Sequence, residues 1–167
     1  MKKYLIAATI AALLSGVSLF AQDAKMAEKT YQKECGVCHM AYQPQFLPQR
    51  SWNKMMKGLG NHFDVDATLD ANEYKTILIY LTNNAGDGKF VNKHFTRISN
   101  SVASNETPLR ISQTPYFLRE HREIPKRFIE QKEVKSLANC SACHTTASQG
   151  SYSQRAIKIP NHGKWED

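Results

Sequence analysis

The sequence predicts a mainly α, small single-domain protein of short helices joined by long loops. Three observations predict it. Apolar residues recur at i, i+3, i+4 and i+7 in several segments, which is the period of one helix face. No set of segments alternates with the strand period of two. The pentapeptide C-x-x-C-H occurs twice, at Cys35-Gly36-Val37-Cys38-His39 and at Cys140-Ser141-Ala142-Cys143-His144, and these motifs use all four cysteines.

The elements follow in order. Residues 1–21 read as a secretory signal peptide. Lys2 and Lys3 form the positive start, Leu5 to Leu14 is apolar apart from Thr9, and Ala21 is the expected last residue before cleavage. An uncleaved anchor is the alternative, but the run is short for a membrane span, which takes about 20 residues. Residues 22–167 then form one domain, 146 residues long. Its first helix is expected over 25–35, leading into the first motif. A proline-marked loop follows, Tyr42 to Pro48. Ser51 is the expected N-cap of a helix over 52–60. Trp52, Met55, Met56 and Leu59 share one face of that helix.

Asp70, with Glu73 three positions on, is a capping box for a third helix. Its apolar face is Tyr74, Ile77, Leu78 and Leu81, and Asn83-Asn84-Ala85-Gly86-Asp87-Gly88 ends it. Residues 86–113 have the least regular pattern. Thr114 and Pro115 start a short helix with Phe117 and His121 on one face. A further helix is expected over 126–144, and the polar tail 145–167 is expected to wrap the surface.

C-x-x-C-H is the attachment signature of covalent haem. The cysteines bond the haem edge and the histidine stands beside it as an axial iron ligand. Placed at random, this chain's cysteines and histidines would form the motif roughly 0.003 times per chain, so two occurrences are not chance. Zinc held by four sulfurs and disulfide pairing are the rivals. Zinc does not need a histidine after each pair, and its paired knuckles rarely lie a hundred residues apart. The haem reading makes the chain a dihaem c-type cytochrome, its helices and long loops packed around two covalent haems. Cys35, Cys38, His39, Cys140, Cys143 and His144 bind them, and His39 and His144 ligate iron. Export agrees, because c-type haem is attached outside the bacterial cytoplasm, and the expected location is the periplasm.

Composition limits the other readings. Mean hydropathy is −0.51 and no large all-protein core is obvious. The formal charge is +7, or +5 without Lys2 and Lys3. Acidic haem propionates would occupy several of the cations, with Arg97, Arg110, Arg119 and Arg122 as candidates, since guanidinium pairs with carboxylate bidentately. No basic run with interleaved aromatics points to nucleic acid. A modest basic face would suit an acidic redox partner.

The sixth position on each iron decides the chemistry. A second histidine closes it, and methionine in its place raises the potential. An open or labile position would favour a haem enzyme or a gas or redox sensor. Four histidines lie outside the motifs. His62, beside Phe63, suits insertion toward a haem, the alternative being an exposed loop histidine. His121 lies one turn after Phe117, and the alternative is pairing with Glu120 or Glu123. His94 and His162 sit in polar surroundings and read as surface residues. Met55 and Met56 read as core, and Met40 is too near His39 to reach the opposite face of that haem.

The chain resembles the bacterial dihaem cytochrome c family, DHC. The resemblance runs through Cys35 to Tyr42, Pro44, Leu47-Pro48, Ser51-Trp52, His62-Phe63 and the helix of 71–82. It continues in Arg110-Ile111, Tyr116-Phe117, Glu120-His121 and Ser136 to His144. It implies a periplasmic electron carrier, not an enzyme, with two low-spin haem c groups of bis-histidine ligation. His62 and His121 would be the distal ligands. It also implies a membrane cytochrome b and a sphaeroides-type haem protein as partners, with no small-molecule substrate. Asp64 departs from the glycine expected after His62-Phe63.

Overall fold

The structure, a computed structural model, describes residues 22–91 and 95–165. The expected leader and His94 lie outside these residues. The first helix, α1, covers 22–35 and so starts earlier than the periodicity places it. It ends at Gly36, whose amide donates to the Gln32 carbonyl at 3.0 Å. Tyr31 is buried, and its hydroxyl donates to the Tyr42 carbonyl at 2.6 Å. The proline-marked loop contains a 3-10 turn, Pro44–Phe46.

Helix α2 (Gln49–Lys57) begins and ends earlier than the expected 52–60, and its cap residue is Pro48 rather than Ser51. The physical reason is a cap supplied from a distance. Asp87 Oδ1 accepts the Gln49 amide at 2.7 Å, so the helix needs no local capping side chain. Ser51 is buried within the helix, and Leu59 falls into a 3-10 turn, Leu59–Asn61. The predicted apolar face holds: Trp52 and Met56 are buried, and Trp52 Nε1 donates to the Pro44 carbonyl at 2.7 Å.

Helix α3 (Ala71–Asn84) matches its prediction. Asp70 caps it by accepting the Asn72 and Glu73 amides at 2.8 and 2.9 Å. Ile77 and Leu81 are buried against α2. Each such side chain contributes about 1.5–3 kcal/mol on burial. After α3 the chain passes close to α4 (Thr96–Asn100), a short helix within the stretch read as irregular. Packing against the Pro44–Phe46 turn holds it, not an apolar repeat of its own. Gly86 permits the close approach, since a Cβ there would stand 1.8 Å from Ser99 Oγ.

Helix α5 (Pro115–His121) starts where Pro115 predicts. Thr114 sits at its cap position, but its hydroxyl donates back to the Ile111 carbonyl at 2.8 Å. The single helix expected over 126–144 is a correction. Two short helices, α6 (Lys126–Ile129) and α7 (Cys140–Cys143), flank a series of turns. Polar side chains compete there for backbone groups. Asn139 Nδ2 donates to the Glu133 and Val134 carbonyls at 3.3 Å each, and Lys135 takes a left-handed φ of 67°.

The tail does more than wrap the surface. Its strands β1 (Lys158–Ile159) and β2 (Gly163–Lys164) pair antiparallel, with Ile159 opposite Gly163. Ala147 and Ile159 are buried. A protein core also exists despite the polar composition: Tyr31, Phe46, Leu47, Trp52, Met56, Ile77, Leu81, Ala85, Ile111 and Phe117 form one buried cluster. Among the described residues no helix is long and apolar enough to cross a membrane.

Candidate functional site

The first motif sits at the end of α1. His39 Nδ1 meets the Met40 carbonyl at 2.8 Å, so that nitrogen carries the proton and Nε2 is left as the basic one. His62 follows the Leu59–Asn61 turn and is held by a tight hairpin. Its amide donates to the Val65 carbonyl at 2.8 Å, and the Val65 amide returns to the His62 carbonyl at 3.2 Å. The two turn residues, Phe63 and Asp64, have φ of 53° and 73°. Both are left-handed, which is where glycine is expected. Asp64 therefore keeps the turn that glycine would make, and His62 stays in place. The His39 and His62 ring centres lie 6.1 Å apart, their planes inclined by 27°.

The second motif forms α7 and its C-cap, His144. His121 comes to it from the end of α5. Its Nδ1 meets the Phe117 carbonyl at 2.8 Å, and its ring lies face to face with the Phe117 ring at 3.9 Å and 10°. The His121 and His144 ring centres are 6.2 Å apart with planes at 68°. His162 goes elsewhere and packs on Phe128 at 4.5 Å. Met56 is buried in the core, and Met40 Sδ accepts from Ser141 Oγ at 3.3 Å.

Burial biases His62, His121 and His144 toward the neutral form, which is the form that binds metal. Burial holds His62 below the usual histidine range, with His39 and the Arg110 guanidinium adding to it. Burial also lowers His121, against the opposing effects of the Phe117 carbonyl and Glu120. Burial and His121 lower His144. His144 Nδ1 is buried without a hydrogen-bond partner.

The two motifs, far apart in sequence, are neighbours. Besides the Met40–Ser141 contact, the Tyr42 hydroxyl donates to the Ala138 carbonyl at 2.7 Å, just before Cys140. Tyr42 also lies 5.0 Å from the His39 ring, and Tyr152 lies 5.3 Å from that of His144. Sequence reasoning passed over Tyr152; the signal available was a lone aromatic in a polar tail. Of the four arginines considered for propionates, Arg110 lies beside a histidine pair, 3.9 Å over the Phe63 ring. Arg119 and Arg122 pair with Glu120 and Glu123.

Residues 31–152 match the family described as dihaem cytochrome c. This chain belongs to the dihaem cytochrome c family. It is similar to the diheme cytochrome type c of Shewanella baltica OS155, with 31% identity over 84% of this chain and 98% of that one, at a TM-score of 0.69. It is also similar to diheme cytochrome c from Rhodobacter sphaeroides, with 40% identity over 74% of this chain and 95% of that one, at a TM-score of 0.67. A second structure of that cytochrome gives 39% identity and a TM-score of 0.61. No curated protein sequence matches the chain.

The family is one of two-haem c-type electron-transfer proteins, and its cofactors are two c-type haems with iron. The residues of this chain fit them. A metal–imidazole bond is about 2.0–2.1 Å and the nitrogen sits about 1.1 Å from the ring centre, so two imidazoles on one metal have centres roughly 6 Å apart. Both histidine pairs meet that spacing, and each joins one motif histidine to one from outside the motifs. The zinc rival loses its basis, since no group of three or more possible ligands among His, Cys, Asp and Glu gathers among the described residues. Among the described residues no two cysteines form a disulfide, so all four can take the thioethers.

Proposed function

We propose that the chain is an exported, periplasmic electron carrier with bis-histidine ligation at both haems. His39 pairs with His62, and His144 pairs with His121. Cys35, Cys38, Cys140 and Cys143 carry the thioethers. The observation that carries this reading is the pair of ring separations, 6.1 and 6.2 Å.

Haem iron supplies reversible one-electron chemistry, and the chain's part is to hold and tune it. The four imidazoles would hold the two irons, and the Met40 and Phe117 carbonyls orient two of them. The Tyr42–Ala138 and Met40–Ser141 contacts keep the two motifs adjacent, which would place the two attachment sites side by side. No substrate bond is broken, and no general base is needed. The partners in this reading are a membrane cytochrome b as donor and a sphaeroides-type haem protein or other acceptor, supported by the resemblance of the chain to its family.

A second reading, a gas or redox sensor or a haem enzyme with one labile axial site, draws on His62. Its turn is left-handed at two non-glycine residues, and among the described residues its ring makes no hydrogen bond. The test is the absorption spectrum of the periplasmically expressed, dithionite-reduced protein with and without carbon monoxide. An unchanged low-spin c-type spectrum supports the carrier. A shift in half or all of the haem favours the second reading.

A further inference from the structure

The two histidine pairs have the same spacing but not the same orientation. His39 and His62 are inclined by 27°, nearly parallel, whereas His121 and His144 are at 68°, nearly crossed. We infer that the chain builds two electronically distinct iron sites by fixing these planes, and that Phe117 is the positioning residue for the crossed one. This rests on the bis-histidine reading above.

The physical argument concerns the imidazole π electrons. Parallel rings donate into the same iron d orbital and raise it above its partner. Crossed rings donate one into each, and the two orbitals stay close in energy. A ferric iron has one hole in this set. Raising a single orbital stabilises that hole, so the parallel site favours the oxidised state and the crossed site is the more readily reduced. Near-degenerate orbitals also keep their orbital moment, which makes the magnetic response of the crossed site strongly anisotropic.

The orientation of His121 is over-determined by Phe117. The Phe117 carbonyl accepts from Nδ1 at 2.8 Å, and its ring covers the imidazole face at 3.9 Å and 10°. Phe117 is itself 5% exposed and part of the core cluster, so it cannot turn with the imidazole. A ring held on its face and at Nδ1 has no rotation left about the iron axis. Tyr152, 58° from the His144 plane at 5.3 Å, flanks the other member of the pair. The other pair has different supports: the Met40 carbonyl and Tyr42 on His39, and the edge of Phe63 on His62 at 4.7 Å.

The test is electron paramagnetic resonance on the oxidised holoprotein. The expected spectrum has two low-spin signals of equal weight. One is an ordinary rhombic signal and one has a single large g value with the others broadened. His62→Ala removes the rhombic signal and His121→Ala removes the large-g signal. Phe117→Leu moves the large-g signal toward the rhombic form and lowers the potential of that site, leaving the other untouched. Phe117→Tyr, which keeps the ring face, leaves both in place. Two rhombic signals in the unsubstituted protein, or a large-g signal lost with His62, would overturn the inference while leaving the ligation intact. A high-spin signal in the unsubstituted protein overturns the ligand reading, and the inference falls with it.

Discussion

Replacing His62 and His121, the proposed distal ligands, one at a time separates ligation from folding, because their protein contacts differ. His121→Ala removes the face contact with Phe117 at 3.9 Å and the bond to its carbonyl at 2.8 Å. An aromatic pair contributes about 0.5–1.5 kcal/mol and a hydrogen bond about 1 kcal/mol, so the substitution costs about 2 kcal/mol beyond the loss of the iron bond. His62→Ala removes an edge contact with Phe63 at 4.7 Å, while its backbone bonds to Val65 survive. Its cost is about 1 kcal/mol or less. Under the proposed bis-histidine ligation, each variant opens one of the two irons. Carbon monoxide added to the reduced protein should therefore shift half of the haem absorbance in each, and all of it in the double variant. His162→Ala, whose ring packs on Phe128, should shift none. Urea unfolding followed by circular dichroism reads the stability difference between the two variants. Carbon monoxide shifting all of the haem, or none, in either single variant would refute the pairing of His39 with His62 and His144 with His121.

Three other outcomes follow from the fold. Trp52→Phe leaves the buried Pro44 carbonyl without its 2.7 Å donor and should cost about 1–3 kcal/mol in denaturant unfolding; an unchanged midpoint would mean that the bond contributes nothing. Asp64→Gly should stabilise by about 1 kcal/mol, because a residue with a Cβ at φ of 73° is strained and glycine is not, so a lowered melting temperature would refute the strain. Asp70 titrates with helix α3: the Glu73 amide, then that of Asn72, holds its carboxyl below the usual value near 3.9. A folded pKa below the unfolded one gives stability that is complete above the unfolded value and disappears as pH falls through the folded value. Asp70→Asn should cap without this charge, so its urea midpoint should fall less than that of the unsubstituted protein between pH 6 and pH 3. An equal fall in both would show that the cap carboxylate is not linked to folding.

Much of this was legible in the chain. The two C-x-x-C-H motifs are local chemistry, complete within five residues, and need no fold to be recognised. Helix α3 was legible from the Asp70 cap, the apolar face and the breaker after it, since all three signals are local and agree. His62 and His121 could be singled out by their aromatic neighbours Phe63 and Phe117. The misreadings share one cause. The start of α2 depends on Asp87, and α4 exists because it packs on a distant turn. The segment 126–144 has helical apolar spacing, but Asn139 takes the backbone carbonyls for itself.

By itself, then, the sequence determined the cofactor class and nominated the attachment residues, the two motif histidines and a short list of partners for them, because each is a property of residue type and near spacing. Only the tertiary structure decided which distal histidine faces which motif and at what ring angle. It also brought the motifs together through Tyr42 and Met40, and it supplied a protein core that a mean hydropathy of −0.51 does not advertise. These are relations between segments up to a hundred residues apart. They are set by which surfaces bury one another, and no window along the chain contains both sides of such a contact.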